Sequence, residues 1–357
     1  MHLNFHPLQI IRRTAAADDA VCLALAIPDA LRAEYQFDPG QHVALRVTIA
    51  GKEIRRTYSI LNGSPASELR LGIRVQPRGG LSHHLAHEAR IGDHIDALSP
   101  TGRFIRSPSA DRSRRYLAVA AGSGITPILS IVTAALEGDA DSRVVLVYGN
   151  RTVARTMFIE DILALKNRFL DRLAVHFIMS REPQDIEIFN GRLDAAKINE
   201  LAGLLFDPAA IDEVFICGPG DMVATCREAL AALGTRAPIH FERFTTAVAT
   251  PAAIRQSIAT AAGNEATVTV IQDGRRRSFS MAPDNGSVLD AAERAGLDLP
   301  FSCRAGVCST CRVKVVSGTV TMEHNVALED WELAAGFVLA CQARPTGREL
   351  ELSYDEK

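Results

Sequence analysis

Short runs of alternating apolar and polar residues fill the first hundred positions, among them His42–Ile49, Thr57–Ile60 and Leu69–Val75, with Gly and Pro between them. Alternation of period two turns one face of each run inward, and regular spacing with turn residues between runs predicts an antiparallel barrel. From Arg115 the pattern changes: YLAVAAG, RVVLVYGN, LAVHFIMS and EVFICGP are continuous apolar runs, as strands buried on both faces require. Helical stretches separate them, and strand alternating with helix predicts βαβ units on a doubly wound parallel sheet. Around Thr245–Gly263 the chain becomes small, weakly patterned and nearly uncharged, which reads as a linker. Beyond it, TVTVIQD and RSFSMAP alternate as strands, Val288–Ala295 has helical spacing, and VKVVSG is a further strand. The pattern therefore divides the chain into residues 1–110, 111–244, a linker at 245–262, and a last domain at 263–357.

Composition adds limits. At 357 residues, 47% apolar and 23% charged, this is the make-up of a soluble globular protein of two or three domains. The net charge of −3 argues against a general affinity for nucleic acid or anionic membrane. The longest uncharged run, Tyr116–Leu136, is long enough to span a bilayer, but Gly-Ser-Gly and Thr-Pro interrupt it and it reads as strand, turn and helix. The opening MHLNFHPLQIIRR has no basic-then-apolar signal, so a cytoplasmic location is expected. Residues Gly263–Lys357 hold 14 acidic and 10 basic side chains, net −4, against +1 for the remainder.

Cysteine spacing carries the first chemistry. Cys303-x4-Cys308-x2-Cys311 falls within LPFSCRAGVCSTCR, and Cys341 follows in LACQARP after 29 intervening residues. Four thiolates at this spacing are the ligand set of a plant-type 2Fe-2S cluster. Ala and Gly between the first two ligands allow backbone N–H groups to close on the sulfides. A structural zinc site would pair its cysteines in two matched knuckles, and a disulfide suits a secreted chain; both fit this spacing less well. Cys22, Cys217 and Cys226 show no pairing pattern. The stretch resembles the cluster loop of plant-type ferredoxins, and with the size and order of its elements the last domain is expected to be a β-grasp ferredoxin.

Signals for the electron source lie upstream. In Arg56-Thr57-Tyr58-Ser59, period two sets Arg56 and Tyr58 on one side of a strand. A guanidinium suits a phosphate, an aromatic ring lies flat on an isoalloxazine, and a Ser hydroxyl reaches a ring heteroatom. By itself the tetrapeptide is more often just a barrel wall. Arg78-Gly79-Gly80-Leu81-Ser82 then opens a helix whose free N–H groups suit a pyrophosphate, and Ser99-Pro-Thr-Gly102-Arg-Phe104 closes the barrel. In this order the three resemble the flavin domain of the ferredoxin–NADP reductase superfamily. His83, His84 and His87 offer two side chains one helical turn apart but no evident third metal ligand, and read as helix surface or flavin edge.

In the second domain, Ala121-Gly122-Ser123-Gly124-Ile125-Thr126-Pro127 follows a strand and opens a helix, where glycines admit a pyrophosphate and Pro is tolerated in the first turn. Cys217-Gly218-Pro219 ends a later strand, the edge at which open α/β sheets bind ligands. AAGSGITP and ICGPG resemble the superfamily's nicotinamide motifs. That resemblance implies Cys217 beside the reacting nicotinamide carbon, and Glu242 and Phe244 of FERF at the flavin edge. A Ser–Arg pair, here Ser180-Arg181, fits an adenosine 2′-phosphate, so NADPH is expected over NADH; Arg151 is a lesser nucleotide contact.

The expectation is a multidomain α/β and β protein: an antiparallel flavin-binding barrel, a doubly wound nicotinamide domain and a C-terminal β-grasp 2Fe-2S ferredoxin domain. Tyr58, Ser59, Cys217 and Glu242 stand at the reacting end. A nicotinamide gives two electrons as hydride, a 2Fe-2S cluster takes one at a time, and a flavin exchanges both ways, which is why it stands between them. FAD is expected, with FMN in some cousins. RRTYSI, AAGSGITP, YGNRT and GFVLACQA together resemble the reductase subunits of multicomponent di-iron oxygenases, above all those of aerobic phenylacetate degradation. The implied partner is the oxygenase component. Reductases of alkane, aromatic or steroid hydroxylases share the layout, and a non-catalytic redox sensor is the alternative of another class.

Overall fold

The computed structural model describes residues 5–76, 80–106, 113–244, 265–282, 286–328 and 330–356. The expected linker and Gly79 lie outside the described residues. The chain forms two compact units, dividing between Thr245 and Thr246.

The first unit begins with six strands: β1 Phe5–Ala17, β2 Ala20–Ala26, β3 His42–Ile49, β4 Lys52–Ser59, β5 Glu68–Arg74 and β6 His94–Leu98. They pair antiparallel in the order β4-β3-β6-β1-β2-β5. Just past β4, Ile60 bridges Leu71 of β5, so the two outer strands meet and the sheet closes into a barrel. Period two is visible in the side chains that fill it: Leu8 and Ile10, Leu23 and Leu25, Val43 and Leu45, Leu69, Leu71 and Ile73 are all fully buried. Each such side chain contributes about 1.5–3 kcal/mol by leaving water. A short helix, α1 (Leu81–His87), packs Leu81 and Leu85 on the same core.

The second half of this unit alternates strand and helix: β7 Arg115–Ala121, α2 Ile125–Gly138, β8 Arg143–Asn150, α3 Ile159–Arg168, β9 Leu173–Met179, α4 Ala195–Leu201, β10 Glu213–Gly218, α5 Gly220–Ala232 and β11 Ile239–Arg243. All five strands are parallel, in the order β11-β10-β7-β8-β9. Successive residues of β7 go to opposite faces. Ala118 and Ala120 join the layer of α2 and α3, while Leu117 and Val119 join that of α4 and α5. That is why these strands read as unbroken apolar runs. The order reverses between β7 and β10, and in an open parallel sheet the crevice at such a reversal is where ligands bind.

Barrel and sheet are stitched together. Phe158 N–H donates to Ala16 O (3.0 Å), Ser130 Oγ to Asn62 O (2.5 Å), and Arg70 pairs with Asp161 (2.8 Å). Gly72 of β5 lies so near α2 that a Cβ there would sit 2.6 Å from Thr126 Oγ1.

The second unit holds β12 Ala266–Gln272, β13 Arg275–Met281, α6 Val288–Arg294, β14 Arg312–Met322, α7 Asp330–Ala334, β15 Phe337–Leu339 and β16 Ala343–Ser353. Its mixed sheet runs β13-β12-β16-β14-β15, with β12 and β16 parallel and the other neighbours antiparallel. α6 starts in a capping box, Ser287 and Asp290 each accepting the other's backbone N–H, worth about 1 kcal/mol. Its apolar face of Val288, Leu289, Ala291 and Ala292 is buried against the sheet. A helix clasped by a mixed sheet is the β-grasp architecture.

Candidate functional site

At the reversal of the parallel sheet, two turns interlock. β7 ends at Ala121, Gly122–Gly124 makes a single 3-10 turn, and α2 follows with Thr126 and Pro127 in its first turn. A Cβ on Gly124 would lie 2.2 Å from Cys217 O and 2.9 Å from Gly218 N, so only glycine lets the two turns touch. Gly218 in turn fits under Met222 and Ala121. α2 and α5 both begin here, behind Gly124 and Pro219, neither of which supplies a side-chain cap. Helix N-termini at a glycine turn suit a pyrophosphate. Two buried polar atoms at this edge, Thr126 Oγ1 and Asn150 Nδ2, have no partner among the described residues. A dinucleotide therefore fits the edge by glycine space, by two converging helix N-termini and by two polar atoms orphaned among the described residues. Further along, Ser180 donates through its N–H (2.9 Å) and hydroxyl (3.2 Å) to Asn150 O, and Arg181 N–H to Arg151 O (2.9 Å). Ser180 is half-buried and Arg181 exposed.

The other side of the crevice is barrel. Ser59 pairs with His42 in the β3–β4 register, as Tyr58 does with Val43 and Arg56 with Leu45. Ser59 is buried, Tyr58 half-buried with burial raising its hydroxyl pKa, and Thr57 half-buried. Arg56 is exposed and donates to Arg55 O (2.7 Å). Gly80 has φ +80°, a conformation other residues adopt only under strain, and turns the chain into α1. There Leu81 is buried and Ser82 Oγ accepts the N–H of Gln76 (3.1 Å). The His83 and His87 rings lie 4.5 Å apart, tilted by 50°, and His84 bonds Glu88 (2.9 Å).

Glu242 joins the two sides. It pairs with Cys217 in the β10–β11 register; Cys217 Sγ lies 4.0 Å from Glu242 Oε2, and His42 Nδ1 lies 3.6 Å from Oε1. Phe244 follows, its N–H bonded to Gly218 O (3.1 Å). Cys217 is wholly buried, and burial first, then the Glu242 charge, pushes its thiol pKa well up. His42 is a site residue that the motifs do not reveal. It is 2% exposed, its Nε2 meets Thr101 Oγ1 at 3.3 Å, and its Nδ1 has no hydrogen-bond partner among the described residues. Its only signal in the chain is an imidazole at the head of an apolar strand. Ser59, His42, Glu242 and Cys217 thus form a line from barrel to nucleotide sheet.

In the second unit the four thiols stand as two pairs. The Cys303 thiol is within hydrogen-bonding reach of Cys308, and that of Cys311 of Cys341. Among the described residues no three His, Cys, Asp or Glu side chains converge on one point, and no cysteine is in a disulfide. Two irons, each taking two thiolates, need this two-plus-two set. The loop between is folded as a nest: φ is +54° at Arg304, +73° at Gly306 and +50° at Ser309. Ala305 N–H thereby reaches Cys303 Sγ (3.3 Å), and Gly306 N–H reaches Cys341. A Cβ on Gly306 would lie 2.8 Å from His324 O. The Cys308 bond lowers the Cys303 thiol to about 6 against its burial, with the Ala305 and Val307 N–H groups adding to the effect. Cys341 is likewise held low by Cys311, while Cys308 and Cys311, the other member of each pair, are pushed well up. N–H groups aimed at the sulfurs of Cys303 and Cys341 fit a cluster with net negative charge.

Fold and sites define a class: an oxidoreductase that joins nicotinamide, flavin and 2Fe-2S binding in one chain. Three family patterns match, the Oxidoreductase FAD-binding domain over residues 7–105, the Oxidoreductase NAD-binding domain over 118–228 and the 2Fe-2S iron-sulfur cluster binding domain over 270–346. The chain is 39% identical to a 1,2-phenylacetyl-CoA epoxidase subunit of Escherichia coli, over 99% of both chains. It is 34% identical to the 3-ketosteroid-9-alpha-monooxygenase ferredoxin reductase component of Mycobacterium tuberculosis, over 98% of this chain and 96% of the other. Among solved structures, phthalate dioxygenase reductase shares the fold, with a TM-score of 0.56 at 22% identity and 98% coverage of each chain. The chain belongs to the family of oxygenase reductase components.

Proposed function

We propose that the protein oxidises NADPH and passes the electrons, one at a time, to the di-iron oxygenase subunits of phenylacetyl-CoA epoxidase in phenylacetate catabolism. The observation that carries this reading is 39% identity to the Escherichia coli epoxidase subunit along 99% of the chain. Residues 1–110 are the flavin barrel, 111–244 the nicotinamide domain, 245–262 the linker and 263–357 the ferredoxin domain. Bound FAD supplies the exchange between a hydride donor and a one-electron carrier.

The chain's own residues align and exclude. Arg56, Gly79, Gly80, Leu81 and Ser82 hold the flavin phosphates, while Thr57, Tyr58 and Ser59 line its ring. Gly122, Gly124, Thr126, Pro127, Gly218 and Pro219 admit the dinucleotide backbone. Ser180 and Arg181 take the 2′-phosphate; the exposure of Arg181 beside the Asn150–Ser180 contact supports this role. Cys217, a neutral thiol, and Glu242 bound the nicotinamide, and Phe244 covers the flavin edge. Alignment of donor and acceptor within contact distance is the main source of rate, since hydride transfer needs no strong acid or base. Cys303, Cys308, Cys311 and Cys341 ligate the cluster.

Mixing the protein with purified phenylacetyl-CoA epoxidase oxygenase subunits, NADPH and phenylacetyl-CoA tests the reading, with the product followed by mass. Epoxide formed only when this protein is present is the expected result. NADPH oxidation with artificial acceptors but no epoxide would sink the assigned partner. The steroid monooxygenase reductases at 34% identity support a second reading, service to another multicomponent oxygenase.

A further inference from the structure

Gln342 follows the fourth cysteine and is 5% exposed. Its Nε2 donates to Cys341 Sγ (3.5 Å) and to Arg304 O (3.0 Å). Both partners are acceptors, so chemistry fixes which end of the amide faces them. The other end, Oε1, is then buried with no partner among the described residues. A buried orphan acceptor is disfavoured, and a Met or Leu of similar volume would fill the space without one. The side chain also lies directly under the nest, since a Cβ on Gly306 would come within 3.2 Å of its Cγ. Arg304 is fixed from the other side by Asp290 (2.9 Å) and Glu293 of α6. The amide therefore clamps the start of the loop to the last ligand, at the expense of an unpaired oxygen.

We infer that Gln342 sets the reduction potential of the 2Fe-2S cluster, its N–H holding electron density at Cys341 sulfur while its second N–H fixes the loop through the Arg304 carbonyl. The inference rests on the reading of the four cysteines as cluster ligands. A donor to a ligand sulfur stabilises the reduced cluster, which carries one more negative charge, and so raises its potential. Gln342 is a positioning residue: it acts through a ligand and touches no substrate.

The test is an EPR-monitored redox titration of the full-length, cluster-loaded protein, with the flavin midpoint followed in the same sample. Gln342→Met keeps the reach and removes both donors; Gln342→Glu substitutes an acceptor for the donor. The cluster–flavin electron equilibrium is expected to move at least threefold toward the flavin in Gln342→Met, a negative shift of about 28 mV at 59 mV per tenfold, and further in Gln342→Glu. The flavin midpoint stays where it was. A cluster midpoint unchanged in Gln342→Met at full iron and sulfide content overturns the inference. Loss of the cluster in both variants overturns it as well, since the amide would then serve assembly and not potential. A wild-type protein without a 2Fe-2S signal is a separate outcome, which removes the ligand reading beneath it.

Discussion

The two redox sites are built in opposite ways. Three of the four thiols proposed as cluster ligands lie within nine residues, on a loop with positive φ at Arg304, Gly306 and Ser309. The nicotinamide–flavin site has no such segment. His42 and Ser59 come from the barrel, Gly124 from the first βα turn, Cys217 from the fourth strand of the parallel sheet and Glu242 from its last. One site is written in a sentence and the other in single words far apart. The cluster site should therefore fail through local damage, and the hydride site through misplacement of parts that remain individually intact.

The largest effect expected is at the local site. Cys308→Ser should abolish the visible absorbance of the cluster and leave NADPH-to-ferricyanide turnover within about twofold, because that route ends at the flavin; simultaneous loss of both would break the distinction. The reciprocal change is Gly124→Ala. Its new methyl must displace the backbone at Cys217, and a shift near 1 Å at a reacting pair costs on the order of 100-fold in rate. Steady-state kinetics should record that loss with the cluster spectrum unchanged, whereas Gly306→Ala should lower cluster content and spare ferricyanide turnover.

A smaller effect distinguishes nucleotides. Arg181→Ala should raise KM for NADPH by roughly 10- to 100-fold, the worth of a charge-assisted hydrogen bond, while KM for NADH moves less than about twofold. Equal changes for both cofactors would remove the 2′-phosphate role. The smallest effect is at Cys217. Because burial and Glu242 raise its folded pKa, the thiol stays protonated while an unfolded cysteine begins to ionise near about 8.5. Its contribution to stability is full below that pH and is lost as pH rises toward the folded value. Iodoacetamide at pH 8 should label Cys217 in the folded protein at under roughly a tenth of the denatured control, measured by peptide mass; equal labelling would mean an open, ionisable thiol.

This contrast also governs what could be read in advance. The barrel, the parallel sheet and the cluster loop were legible because periodicity and cysteine spacing are local. The glycines of AAGSGITP and ICGPG announced a nucleotide edge, but not that Gly124 rests on the carbonyl of Cys217. His42 was illegible for a related reason: its meaning depends on Glu242, 200 positions away, and on Gly102, whose φ of +114° seats it beside the imidazole. Gln342 had a faint signal, one polar residue in an apolar run beside a ligand. The parallel pairing of β12 with β16 has no signature within either strand.

That pairing has a consequence for how the protein is made. β16 is the central strand of its sheet, hydrogen-bonded to β12 and β14, yet it is the last of the five in chain order, and Cys341 lies just ahead of it. Until β16 docks, β12 and β14 are edges without their shared neighbour, and contacts across some 80 positions form slowly. Sheet closure and delivery of the fourth thiolate are thus one event. Biogenesis inherits a proofreading step from this: a nascent chain stalled or clipped before Cys341 presents three of the four cysteines and an unfinished sheet, and iron–sulfur assembly machinery would find a complete acceptor only on chains that have finished folding.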